Sequence, residues 1–146
     1  MKYTFTGFLL LVFGAAPLWA GLGQPVRSVQ SDRAQMRGTV RSETGKGYSV
    51  QTITPAGGGV VNEYISPTGM VFGVSWKTPV MPNLSQLLGS YFTQLTKRSK
   101  SNVRRRSVVV RTSQVVIESG GHLHGFYGRA YIPGLVPARL SPSVVQ

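Results

Sequence analysis

The 146 residues include no cysteine. That absence excludes a disulfide framework, a thiolate nucleophile, cysteine-ligated zinc and a lipidated N-terminal cysteine, each of which needs sulfur at a fixed place. Acidic side chains are almost as scarce. Asp32, Glu43, Glu63 and Glu118 are the whole set, against 16 Lys and Arg, for a formal net charge of +12. With so few carboxylates, neither an acid-rich metal site nor a paired-carboxylate mechanism is expected. Long apolar runs are missing too. The run Phe8–Ala16 is about half of the roughly 20 residues that a membrane span requires, and Pro17 ends it.

What the first segment does have is the layout of a secretory signal peptide: Lys2, the apolar run, Pro17 and the small residue Ala20. Residues 1–20 are expected to be removed, with cleavage after Ala20 and, as the fallback, after Gly23. Losing Lys2 lowers the charge to +11. The remainder is expected to form one exported domain over residues 21–140, with an extended tail over 141–146, in the periplasm or at the cell surface. Outside the cytoplasm the common polyanions are lipid head groups, acidic polysaccharides and cell-wall polymers. Nucleic acid therefore ranks behind them as a partner.

Along this domain, SDRAQMRG suits a short helix with Ser31 or Asp32 as N-cap and Gly38 closing it. A Gly/Thr/Ser-rich connection leads to strands at Tyr48–Thr54, Val60–Ile65 and Met70–Trp76. In the third of these, Met70, Phe72, Val74 and Trp76 share one face. Leu84, Leu87, Leu88, Tyr91, Phe92 and Leu95 then fall on one helical stripe, opened by Asn83 with Gln86 three residues on. Gly89 sits inside that stripe, at a helix cost of about 1 kcal/mol relative to Ala, which suggests close approach of a neighbour. The polar face of this helix carries no charge. Two long β-rich segments follow, Ser107–Ser119 and His122–Ile132, with Gly120-Gly121 as the hairpin signal between them. Both are apolar on both phases, so they are either covered on both sides or bulged near Arg111–Gln114. The expected fold is α+β: an antiparallel sheet of about five strands, order α-β-β-β-α-β-β, with one long amphipathic helix across one face.

Catalytic motifs are largely missing. No G-x-S-x-G or S-x-x-K occurs, and Gly57-Gly58-Gly59 is not followed by the Lys-Ser/Thr of a phosphate loop. His122 and His124, two apart on a strand, share a face. A metal there would need a third ligand such as Glu118 or Glu63, so no metal site, cofactor or catalytic residue is assigned. Arg129, between Gly128 and Ala130, is a functional suspect beside the two histidines, its other reading being an Arg tied to a carboxylate or to carbonyls. An enzyme of hydrolase type would have to draw on His122, His124, Arg129 and Glu118.

The basic run is the most pronounced feature. Lys97, Arg98, Lys100, Arg104, Arg105, Arg106 and Arg111 place seven positive charges and no negative one in fifteen residues. Lys97 and Arg98 suit the negative end of the helix dipole, and an arginine cluster can hold phosphate or carboxylate oxygens through paired hydrogen bonds. The two readings are a solvated loop and an anion-binding patch.

Three stretches, EYISPTGMVFGVSW (Glu63–Trp76), PNLSQLLGSYF (Pro82–Phe92) and SGGHLHGFYGRAYIPGLVP (Ser119–Pro137), together resemble domain-of-unknown-function family 2844, small exported bacterial proteins. The opening GLGQPVRSVQSDRAQMRG fits the same pattern. The resemblance implies a signal peptide and one small domain, and implies no activity. The functional expectation is a non-enzymatic binding protein that presents its basic run to an anionic envelope polymer or to lipid head groups. The alternative is an assembly component docking on another envelope protein.

Overall fold

Among the described residues, seven strands hydrogen-bond into one antiparallel sheet in the order β1-β2-β3-β4-β7-β6-β5. The computed structural model describes residues 21–101 and 107–146, so the expected signal peptide at 1–20 and Arg104, Arg105 and Arg106 lie outside the described residues. The elements are α1 (Val29–Gln35), β1 (Thr39–Thr44), β2 (Ser49–Thr54), β3 (Val60–Ile65), β4 (Val71–Thr78), α2 (Leu84–Leu88), α3 (Phe92–Ser101), β5 (Ser107–Arg111), β6 (Val116–His122) and β7 (Gly125–Tyr131). The class is α+β, but the sheet has seven strands where about five are expected.

Each difference from expectation has a local cause. The connection after α1 contains β1, a polar edge strand that is exposed at nearly every position and so shows no apolar period. The segment expected as one strand from Ser107 to Ser119 is two. Thr112 closes a tight turn between them: its Oγ1 accepts from the backbone N–H groups of Gln114 and Val115, and its own N–H reaches the Val115 carbonyl. The apparent change of phase is therefore a turn, not a bulge. The Gly120-Gly121 pair is not a turn but lies within β6; the chain reverses at Leu123-His124, since His122 pairs with Gly125.

The long helix is divided. Gly89 has φ 53° and ψ −130°, which no L-residue adopts comfortably, and a 3-10 turn over Gly89–Tyr91 separates α2 from α3. The apolar stripe survives the break, with Leu84, Leu87, Leu88 and Leu95 all buried. They pack with Val29 of α1 against Val61, Val74, Trp76, Ile117 and Ala130 on one face of the sheet. Each such side chain contributes roughly 1.5–3 kcal/mol of burial.

The opposite face has a smaller core of its own. A register shift pairs Tyr64 with Gly73 but Ile65 with Val71, and the resulting bulge turns Phe72 away from Val74 and Trp76. The single face expected for Met70, Phe72, Val74 and Trp76 is thereby broken. Phe72 packs with Tyr64, Tyr48 and Val145, the three rings lying 6.2 to 6.3 Å apart. In place of an extended tail over 141–146 there is a 3-10 turn at Pro142–Val144, after which Val145 is fully buried. The Gln146 carbonyl accepts from the Tyr64 hydroxyl at 2.7 Å and the Ser75 hydroxyl at 2.9 Å.

Candidate anion-binding groove

α3 carries its basic residues in its last turns, where cations oppose the exposed carbonyl end of the helix. Because the chain returns from α3 directly into β5, the two ends of the basic run meet. Lys97 and Arg98 from the helix, and Arg111 and Thr112 from the end of the strand, line one groove of about 720 Å³, with Gln94 beside them. Lys100 is exposed on α3 but does not line the groove. Three of the four described cations of the run are thus brought together.

Arg111 is also held from the sheet. Its Nη2 donates to Glu118 Oε1 at 2.7 Å, while Arg129 Nε donates to Glu118 Oε2 at 2.8 Å across the β6–β7 pairing. Hydrogen bonding from Arg129, reinforced by Arg111, holds the Glu118 carboxyl below the usual carboxylate range, and Glu118 in turn raises Arg129. Arg129 Nη1 reaches the Val145 carbonyl at 3.2 Å, so it ties the sheet to the C-terminal segment. This is the carboxylate-and-carbonyl arrangement set out as the alternative reading of Arg129.

The histidines stand apart from it. His124 occupies the β6–β7 turn with φ 65°, and both rings are exposed; His122 Nδ1 lies 3.1 Å from the Leu123 carbonyl. Glu118 and Arg129 are four residues along their strands, about 13 Å away at 3.3 Å per residue. The groove that these two residues line receives nothing from either histidine. His122, His124 and Arg129 therefore do not form one cluster.

One arrangement was absent from the sequence reading. Asp32 is not a helix cap: Ser28 holds that position, and Asp32 is fully buried within α1. Gln86 Nε2 of α2 donates to Asp32 Oδ1, and Asp32 lies beside Glu63 of β3, which is itself fully buried. Two neighbouring carboxyl groups buried away from water cannot both ionise cheaply, so the pair favours holding a proton. Burial, followed by the neighbouring Asp32 charge, raises Glu63 well above its ordinary range, and burial pushes Asp32 up to about 6. A signal for this site was present, since Glu63 stands on the same strand phase as the apolar Val61 and Ile65. Both groups are sealed from solvent, so the pair serves the packing of α1 on the sheet.

Comparison with known proteins gives one family. A family model described as "Protein of unknown function (DUF2844)" matches residues 19–145. No curated protein and no solved structure matches the chain.

Proposed function

The chain belongs to the DUF2844 family of proteins of unknown function, and from that premise we propose that it is a non-enzymatic, exported binding protein of the cell envelope whose basic groove takes an anionic partner. The observation that carries this reading is the return of both ends of the basic run, Lys97–Arg98 and Arg111, to one groove between α3 and β5. A run spread over a solvated loop would not converge in this way. Gln94 and Thr112 add neutral hydrogen-bonding groups beside the cations, which suits phosphate, sulfate or carboxylate oxygens on a polymer or a lipid head group. The signal-peptide layout of residues 1–20 supports placement in the periplasm or at the cell surface, where such polyanions are abundant.

Contacts of this kind are screened over about 8 Å at physiological ionic strength. Replacing Lys97 and Arg98 together by Gln is expected to weaken retention on immobilised heparin and on anionic vesicles roughly five-fold at low salt, two exposed contacts at their usual modest worth. Replacing Arg104, Arg105 and Arg106 by Ser is expected to add to the loss. Retention unchanged in both variants would overturn the reading.

A further inference from the structure

The sheet face opposite the helices is covered over only half its width. The segment from Pro133 to Gln146 lies over β2, β3 and part of β4, and ends with the Gln146 carbonyl on Ser75. Across the other half, the strand register aligns side chains in rows perpendicular to the strands. One row is Lys77, Tyr127, Gly120 and Ser107, running from β4 through β7 and β6 to β5. The next is Ser75, Arg129, Glu118 and Val109. The row between them, Trp76, Gly128, Ser119 and Val108, directs its side chains to the helix side and so offers only backbone here. That floor and the two rows, Ser75 and Gly120 excepted, line a groove of about 380 Å³, a volume within the range of small-molecule sites. It crosses three strand spacings, about 14 Å.

We infer that this groove binds an elongated amphiphilic anion, an acyl-chain carboxylate or its phosphate counterpart, with its head between Lys77 and Arg129 and its chain running across Tyr127 toward Val109. The polarity follows from the rows. Lys77 and Arg129 stand on the adjacent strands β4 and β7, at the end that Gln146 closes. The side-chain carboxylate there, Glu118, is already neutralised by Arg129 and Arg111, and the main-chain oxygen of Gln146 at that end is held by the Tyr64 and Ser75 hydroxyls. Lys77 is exposed and has no ion pair among the described residues, and Arg129 commits Nε and one Nη1 hydrogen of its five N–H donors to Glu118 and Val145. The head-group end is therefore cationic, with donors to spare.

The other end is apolar. The Tyr127 ring lies across Gly120, where a Cβ would come within 3.0 Å of it, and Tyr127 and Val109 are 55% and 40% exposed. Oily side chains left open beside a fixed arginine, in a narrow groove, fit a chain with one charged end better than they fit a polyanion, which needs cations along its whole length.

The test is titration of the full chain with monomeric decanoate, with decanol and with anionic vesicles, followed by amide NMR and calorimetry. Decanoate is expected to shift Ser119, Gly120, Gly128 and the Arg129 side-chain N–H, with decanol at least five-fold weaker. Lys77→Gln should weaken decanoate about five-fold, the worth of one partly screened ion pair. Val109→Asp should do the same from the apolar end, with the Lys97 and Arg98 signals unmoved in either variant. Three results would overturn the inference: decanol matching decanoate, shifts confined to α3, or movement of the groove amides by vesicles and not by monomeric decanoate.

Discussion

Asp32 and Glu63 are half of the acidic side chains in a chain of net charge +12, and both are fully buried. The strength of that arrangement depends on pH in a direction opposite to most carboxylates. Both groups bind a proton more tightly folded than unfolded, so their contribution is complete below about pH 4 and is lost as pH rises through the folded value of Asp32, about 6. For Asp32 the loss is about 3 kcal/mol, taking its displacement from 3.8 to about 6. Asp32→Asn keeps an acceptor for Gln86 and gives Glu63 a donor, so urea unfolding at pH 8 should show the variant more stable than the parent by up to about this amount. The difference should vanish by pH 4. An unfolding midpoint that rises from pH 4 to 8 in the parent would show the pair to be ionised without cost. The partnership was half legible in the sequence, because a glutamate on an apolar strand phase must find a polar partner. Which partner it finds depends on how α1 lies on the sheet, and no local pattern records that.

At the level of elements, Gly89 separates two helices that one apolar stripe would make continuous. In a continuous helix, Gly89→Ala would stabilise by about 1 kcal/mol. With φ 53° and ψ −130° at this position, the same change is expected to destabilise by about 1–3 kcal/mol, read as a lower thermal or urea midpoint. The stripe itself was legible, as were β2, β3 and β4 to within two residues, because burial on one side leaves a period in the sequence. What escaped was of two kinds. β1 is a polar edge that buries almost nothing, so it has no period to read. The true turns at Thr112–Val115 and Leu123-His124 use a threonine hydroxyl and a histidine at positive φ, while the conspicuous Gly-Gly pair is spent within β6, one of its glycines making room for Tyr127. The basic groove was legible as a run of charges, but its closure on Arg111 comes from the return of α3 into β5.

The molecule as a whole is two antiparallel meanders, β1 to β4 and β5 to β7, joined where β4 meets β7. The C-terminal segment fastens this junction: Val145 packs on Gly73 of β4, and Arg129 of β7 holds the Val145 carbonyl. Val145→Ala should therefore cost about 2 kcal/mol in chemical denaturation, as for a side chain removed from a packed core. Its effect should exceed that of Val80→Ala, a residue 66% exposed. The β4–β7 junction also governs the order in which the chain can fold. Gly73 pairs with Tyr131, 58 positions later, whereas the other strand pairs join neighbours in the sequence. Closing so long a loop is slow and brings its reward only when complete. Until the last strand has been synthesised and released, β4 has one side of its hydrogen-bonding edge unfilled and the second aromatic cluster lacks its valine. A chain still emerging from a ribosome or a narrow channel would hold only an incomplete sheet, and the native state becomes available all at once, when β7 and the segment through Val145 are both free.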